Sequence, residues 1–74
     1  MWKTQKPKIE DLKIDIGGGT MSGNFLISVS GIVRINSFIM PVHPKGGYYE
    51  GYWYRMDNEP DGWQPLPEAI TKDT

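Results

Sequence analysis

The side chains of this sequence best suited to acid–base or nucleophilic work are His43 and the carboxylates Asp57, Glu59 and Asp61. His43 is the only histidine and there is no cysteine, so a thiolate–imidazole pair is excluded. A serine triad would have to recruit that single imidazole, which lies between Val42 and Pro44 in a turn-like stretch. The serines sit in strand-like or loop positions with no nucleophile-elbow pattern around them. The three carboxylates alternate along one turn, where nothing separates their environments and so nothing drives their pKa values apart. The chain therefore reads as a binding protein rather than an enzyme, and its residues imply no cofactor.

Two further stretches have the composition of ligand sites. In Asp15-Ile16-Gly17-Gly18-Gly19-Thr20 the glycines would let backbone N–H groups approach an anion. The stretch resembles the phosphate-binding hairpin of the actin and heat-shock-chaperone ATPases. That fold is built from two large lobes, for which this chain is too short, so a plain strand connection is expected. A dinucleotide fingerprint is absent too, because Ser22 stands three positions after Gly19 and no helical pattern follows. Asp57, Glu59, Asp61, Gly62 and Glu68 fall at positions 1, 3, 5, 6 and 12 of a calcium loop and so resemble the loop of an EF-hand. An EF-hand needs a helix on each side. Here an aromatic, strand-like run leads in, Pro65 and Pro67 interrupt the exit, and Gln64 replaces the usual apolar residue. The expectation is a solvated acidic turn without metal.

The aromatic run is the most informative feature. Six of the nine aromatic residues, Tyr48, Tyr49, Tyr52, Trp53, Tyr54 and Trp63, fall within sixteen positions. On a strand spanning 48–56, Tyr48, Tyr52 and Tyr54 share one face with Glu50 and Met56, and Tyr49, Trp53 and Arg55 share the other with Gly51. Rings on both faces mean that one set fills a core while the other needs a cover. Tyr, Trp, Met and Arg are also the composition of an interface hot spot, and the acidic turn at Asp57, Glu59 and Asp61 would form its charged rim. The residues expected to bind are therefore Tyr48, Tyr49, Tyr52, Trp53, Tyr54, Arg55, Asp57, Glu59, Asp61 and Trp63. The expected partner is another protein with a basic patch, or a second copy of the chain. In economy of size the chain resembles small accessory or inhibitory proteins of phages and mobile elements.

Two other binding classes use the same rings. A small barrel could stack single-stranded nucleic acid on Tyr48, Tyr52 or Trp53, with Arg34, Lys45 and Arg55 meeting phosphates. Tyr52-Trp53-Tyr54 with Pro60 and Trp63 is loosely similar to the aromatic ladder of small chitin-binding modules. Against the nucleic-acid reading stands the charge, with eight Lys and Arg against nine Asp and Glu, a formal −1. Residues 1–14 carry Lys3, Lys6, Lys8 and Lys13 against Glu10 and Asp11, whereas residues 48–74 hold six acids against Arg55 and Lys72.

The frame that must position these groups is one small β domain over residues 1–74. At 38% hydrophobic residues and no cysteine, its core is small and has no disulfide or thiolate zinc to support it, which favours self-association or docking. The apolar stretch from Phe25 to Val42 is interrupted by Arg34, Asn36 and serines, so no membrane span is expected. No apolar run follows the N-terminal lysines, so a secretory signal is not expected and a cytoplasmic location is. Period-two patterning predicts an all-β fold, an antiparallel sheet or barrel of three to five strands. Leu12–Ile16 reads as a half-buried strand, and the odd positions from Phe25 to Ile35 read as one long strand. The apolar parity then flips to Phe38, Met40 and Val42, which predicts a turn or kink at Asn36-Ser37. His43–Gly47 is expected to turn the chain into the aromatic strand, and Trp63–Leu66 to return as a short edge segment. Residues 1–8 and 71–74 are expected as loose ends. Short helical turns are expected at Pro7–Leu12 and Pro67–Ile70.

Overall fold

A computed structural model of the chain describes residues 1–67; the helical turn expected at Pro67–Ile70, the loose end at 71–74 and the loop position Glu68 lie wholly or partly outside the described residues. The architecture is an open antiparallel sheet, not closed into a barrel, of strands β1 (Ile14–Asp15), β2 (Met21–Val29), β3 (Ile32–Met40), β4 (Tyr52–Trp53) and β5 (Gly62–Pro65). A 3-10 turn at Ile9–Asp11 falls inside the expected Pro7–Leu12 stretch, with the Asp11 carboxylate accepting the Lys8 N–H at 2.9 Å. β2 is the centre of the sheet. One of its edges pairs with β3, while the other is shared by β1 near Met21 and by β5 along Phe25–Ser28.

The long strand expected from Phe25 to Asn36 is a hairpin. It breaks at Ser30-Gly31, which form a two-residue turn with both φ angles positive, 50° and 81°. This is the backbone that matches the twist of the flanking strands, and glycine supplies its second residue without strain. No turn exists at Asn36-Ser37, because β3 runs straight through them. In the hairpin Val29 lies opposite Ile32, so odd residues of β2 face even residues of β3 throughout. Opposed residues share a face, which puts Phe25 and Ile27 with Phe38 on the buried side. Val33 and Ile35 continue the odd apolar series of β2, yet they project from the opposite, open face.

Among the described residues, the buried large apolar residues lie on one side of the sheet: Leu12, Phe25, Ile27, Phe38, Trp53 and Trp63. Four of them form an aromatic cluster. Phe25 meets Trp63 edge-on at 4.8 Å between centroids and Trp53 at 6.0 Å, and Phe38 meets Trp53 at 5.0 Å. Edge-to-face pairs of this kind add about 1 kcal/mol each beyond their buried area. On the opposite face Ile14, Val33, Ile35 and Tyr52 are exposed while Ser22 is buried, and among the described residues no second layer of strands or helices packs there.

Three further expectations change. The strand at Leu12–Ile16 shrinks to the two residues of β1, with Leu12 in the core but Ile14 and Ile16 exposed. The N-terminal segment, expected to be loose, is tied down along β5: Lys3 and Trp63 exchange backbone hydrogen bonds of 2.8 and 2.9 Å, and the Trp63 indole N–H donates to the Gln5 carbonyl. Gly62 makes room for that arm, since its missing Cβ would lie 3.1 Å from Trp2 Cβ. The aromatic strand expected over 48–56 is regular only at Tyr52–Trp53. An isolated bridge joins Val42 to Tyr48, and the register slips by one residue between that bridge and the Ile39–Tyr52 pair. Among the described residues, no helix is long and apolar enough to cross a membrane.

Gly51 occupies the slip, buried against the Phe38 ring. A Cβ there would overlap Phe38 Cε2, lie 2.5 Å from its Cζ and 2.9 Å from the Ile39 carbonyl oxygen. Neither neighbour can retreat, since Phe38 is fully buried and the carbonyl belongs to β3. Gly51→Ala is therefore expected to cost about 2–3 kcal/mol, read as a lower denaturation midpoint.

Candidate functional site

The aromatic run divides cleanly by residue type. Trp53 and Trp63, expected among the binding residues, are 3% and 4% exposed and belong to the core. Each sits where its strand faces the cluster, Trp53 opposite Phe38 and Trp63 opposite Ile27. Buried, neither indole can stack on a base or a sugar. Tyr48, Tyr49, Tyr52 and Tyr54 are exposed, between 42% and 50%. Tyr52 stands opposite Ile39 on the open face. Tyr49 leaves the face expected for it because the register slip intervenes, and its ring packs on His43 at 4.6 Å. The His43 Nδ1 accepts the Lys45 N–H at 3.0 Å, so the one imidazole shapes its own turn.

Arg55 also departs from the expected strand face. The chain turns at Tyr54-Arg55, closed by the Met56 N–H donating to the Trp53 carbonyl at 3.2 Å. Arg55 takes φ 54°, a left-handed conformation that side chains with a Cβ adopt at a cost of about 1–2 kcal/mol. Its guanidinium lies over the Tyr54 ring, 5.2 Å from the centroid. Glycine or asparagine would suit this position better by conformation alone. Arg34, Ile35, Asn36, Tyr54, Arg55 and Met56 line a groove of about 300 Å³ that reaches Ile27 and Val29. Among the described residues neither arginine has a carboxylate within salt-bridge distance.

Of the acidic residues near the run, Glu50, Glu59 and Asp61 are engaged within the fold. Asp61, expected in the charged rim, accepts the Ser30 N–H at 2.8 Å and so ties the loop before β5 to the β2–β3 turn; its own N–H donates to the Ser28 carbonyl at 2.8 Å. Glu59 lies 3.4 Å from Lys6, and Glu50 only 2.7 Å from the same ammonium. Asp57 shares a shallow depression with Lys6 and Glu59. Within the calcium-like loop Glu59 and Asp61 thus turn to different partners, and the described residues contain no cluster of three metal-ligating side chains. In the glycine triplet, the Asp15 carboxylate accepts the Gly17 N–H at 2.8 Å and the Thr20 N–H donates to the Gly17 carbonyl. All three glycines have positive φ, as the β1–β2 connection requires.

The Lys6 hydrogen bond, assisted by its charge, holds the Glu50 carboxyl below the usual carboxylate range. The same bond raises the Lys6 ammonium, against partial desolvation that acts the other way. A carboxylate with a lowered folded pKa stabilises the fold above its ordinary pKa and ceases to do so as pH falls through the lowered value. Lysine with a raised pKa gives the converse limit, its contribution being lost as pH rises through the raised value. The pair therefore acts between the carboxylate and lysine ranges, weakly, because Glu50 is open to solvent and salt. Carboxyl NMR titration should find Glu50 below the ordinary range, and Lys6→Gln should return it there. Asp61→Ala removes an acceptor for the Ser30 amide and is expected to cost about 1 kcal/mol, seen in urea unfolding as a lower midpoint at unchanged slope.

No family model, curated protein or solved structure matches this chain, so its function must be read from its own surfaces.

Proposed function

We propose that this chain is a non-enzymatic protein-binding module that engages its partner through the tyrosine-rich second arm of the β3–β4 hairpin. The observation that supports this reading is the separation of the aromatic residues. Both tryptophans of the run are in the core, whereas all four tyrosines remain exposed along residues 48–54. Tyrosine offers a large, rigid contact area with a polar tip, at little entropic cost on binding. The core does not account for these rings, since it closes without them.

The open face adds apolar surface beside the tyrosines. Tyr52 is flanked by the half-buried Ile39 across the strand pair, and Ile39 in turn by the buried Ser22 and then by exposed Ile14 on β1. This row crosses the whole sheet, with Ile14 and Tyr52 both exposed at its ends. A protein partner docking there would cover this face with a second layer. The alternative classes are less well supported. With Trp53 and Trp63 buried, a sugar ladder loses both indoles, and a base-stacking surface loses the ring at the centre of its run.

Replacing Tyr49 and Tyr52 together by alanine tests the reading. The double variant is expected to keep its melting temperature within a few degrees and to lose at least about tenfold in affinity for a partner captured by the wild-type protein, hot-spot tyrosines being worth about 2 kcal/mol or more. Equal capture by a folded variant would refute the assignment of this surface.

A further inference from the structure

β3 has an open edge. On the side away from β2 it pairs with β4 only at Phe38 and Ile39, and the Tyr54 N–H makes one last bond to the Ser37 carbonyl at 2.9 Å. The chain then turns away at Tyr54-Arg55, and among the described residues no strand lies along Ile32–Ile35 on that side. Hydrogen bonding alternates along an antiparallel strand. The N–H and C=O of Val33 and Ile35 therefore point the same way as those of Ser37, out of the sheet edge. Among the described residues these four backbone groups have no hydrogen-bond partner, and they lie between side chains as apolar as Ile32, Val33 and Ile35, the last 63% exposed.

The start of β3 and the Tyr54-Arg55 turn also bring Arg34 and Arg55 to one groove, which Ile27 and Val29 also line. Both arginines are exposed and without a carboxylate partner among the described residues. Arg55 is held there in a left-handed conformation that the turn alone would fill more easily with glycine. A strand added alongside Val33 and Ile35 would continue the column that β4 vacates. Its side chains on the core side would then enter this groove.

We propose that the β3 edge takes up an extended segment of a partner protein by strand addition, with an acidic side chain of that segment lying between Arg34 and Arg55. The inference rests on the protein-binding reading above and names the chemistry of the partner. Main-chain bonds to Val33 and Ile35 supply register-independent affinity, and the arginine pair selects for carboxylate. A second copy of this chain is a poorer occupant. Antiparallel self-pairing centred on Arg34 sets two guanidinium groups directly opposite each other, and centring on Val33 sets each Arg34 against Ile32 of the other copy.

The test uses the full chain, isotopically labelled, and three synthetic peptides that alternate threonine with a variable residue: glutamate, glutamine or lysine. The glutamate peptide should shift the Val33 and Ile35 amides and slow their hydrogen exchange. The glutamine peptide should bind about tenfold more weakly, as should the glutamate peptide to Arg34→Gln. Arg55→Gly relieves the left-handed strain, so it should remain at least as stable as the wild type while losing a similar factor; this separates binding from folding. Equal binding of the three peptides, or no change at Val33 and Ile35 at millimolar glutamate peptide, overturns the proposal. So does concentration-dependent protection of these amides without peptide, which would identify a second copy. Displacement of the glutamate peptide by a single-stranded oligothymidylate that leaves those amides unprotected would assign the arginines to nucleic acid and also overturn it. The peptide titration reads the β3 edge alone, whereas partner capture by the tyrosine variant reads the protein-binding function, so either can fail without the other.

Discussion

The structure depends on packing four aromatic rings against one face of a single sheet. Phe25, Phe38, Trp53 and Trp63 come from four different strands, and their edge-to-face contacts are what hold β4 and β5 to the β2–β3 hairpin. β4 contributes only two residues and cannot be retained by its ladder alone. Trp53 anchors it, and the absence of a side chain at Gly51 lets the strand come close enough for that ring to reach Phe38. β5 is held likewise by Trp63, over which Lys3 places its ammonium at 5.1 Å while its backbone pairs with the strand. A chain of this length has too few apolar residues for two cores. Concentrating the large rings on one face gives a workable core there and, among the described residues, leaves the β3 edge along Ile32–Ile35 without a paired strand.

That economy explains which parts of the fold were legible in the sequence. Period-two patterning reveals strands whenever one face is buried, and β2 shows it clearly in Phe25, Ile27 and Val29. The hairpin was harder to place. Pairing Val29 with Ile32 makes the apolar parity change between the arms, so the change at Phe38 and Met40 is the trace of a turn at Ser30-Gly31. Reading the change as a kink at Asn36-Ser37 follows from Val33 and Ile35, which prolong the odd series into the second arm. They are apolar for a reason other than the core, and parity cannot distinguish the two reasons. The Ser-Gly dipeptide was the local signal that could have located the turn.

Within the aromatic run, parity separates the rings correctly only where the ladder is regular. Trp53 and Gly51 face inward while Tyr52 faces outward, as alternation requires. Tyr49 and Arg55 escape the pattern because a register slip lies before β4 and a left-handed residue after it. Both irregularities come from tertiary constraints, the closeness of Phe38 to Gly51 and the turn at Tyr54-Arg55, which no local composition announces. Exposure of the tyrosines could have been argued from chemistry, since each hydroxyl needs a partner that an aromatic core does not offer.

Charge is the property whose role the structure changes most. In sequence the 57–61 turn looks like an acidic rim awaiting a basic partner. In the fold, Asp11, Asp15 and Asp61 accept backbone N–H groups, and Glu50 and Glu59 converge on Lys6. Each of these bonds closes a turn, ties the loop before β5 to the β2–β3 turn, or links the N-terminal arm to the segments before β4 and β5. A carboxylate already accepting a hydrogen bond has less to gain from a partner's cation, because the new contact must compete with the existing one. Among the described residues neither arginine has a carboxylate partner. Arg34 stands on an open strand edge, where a positive charge discourages like strands from pairing, and the same charge favours a strand bearing a carboxylate. The polarity best matched to this surface is therefore opposite to the one that the net charge of the C-terminal third implies.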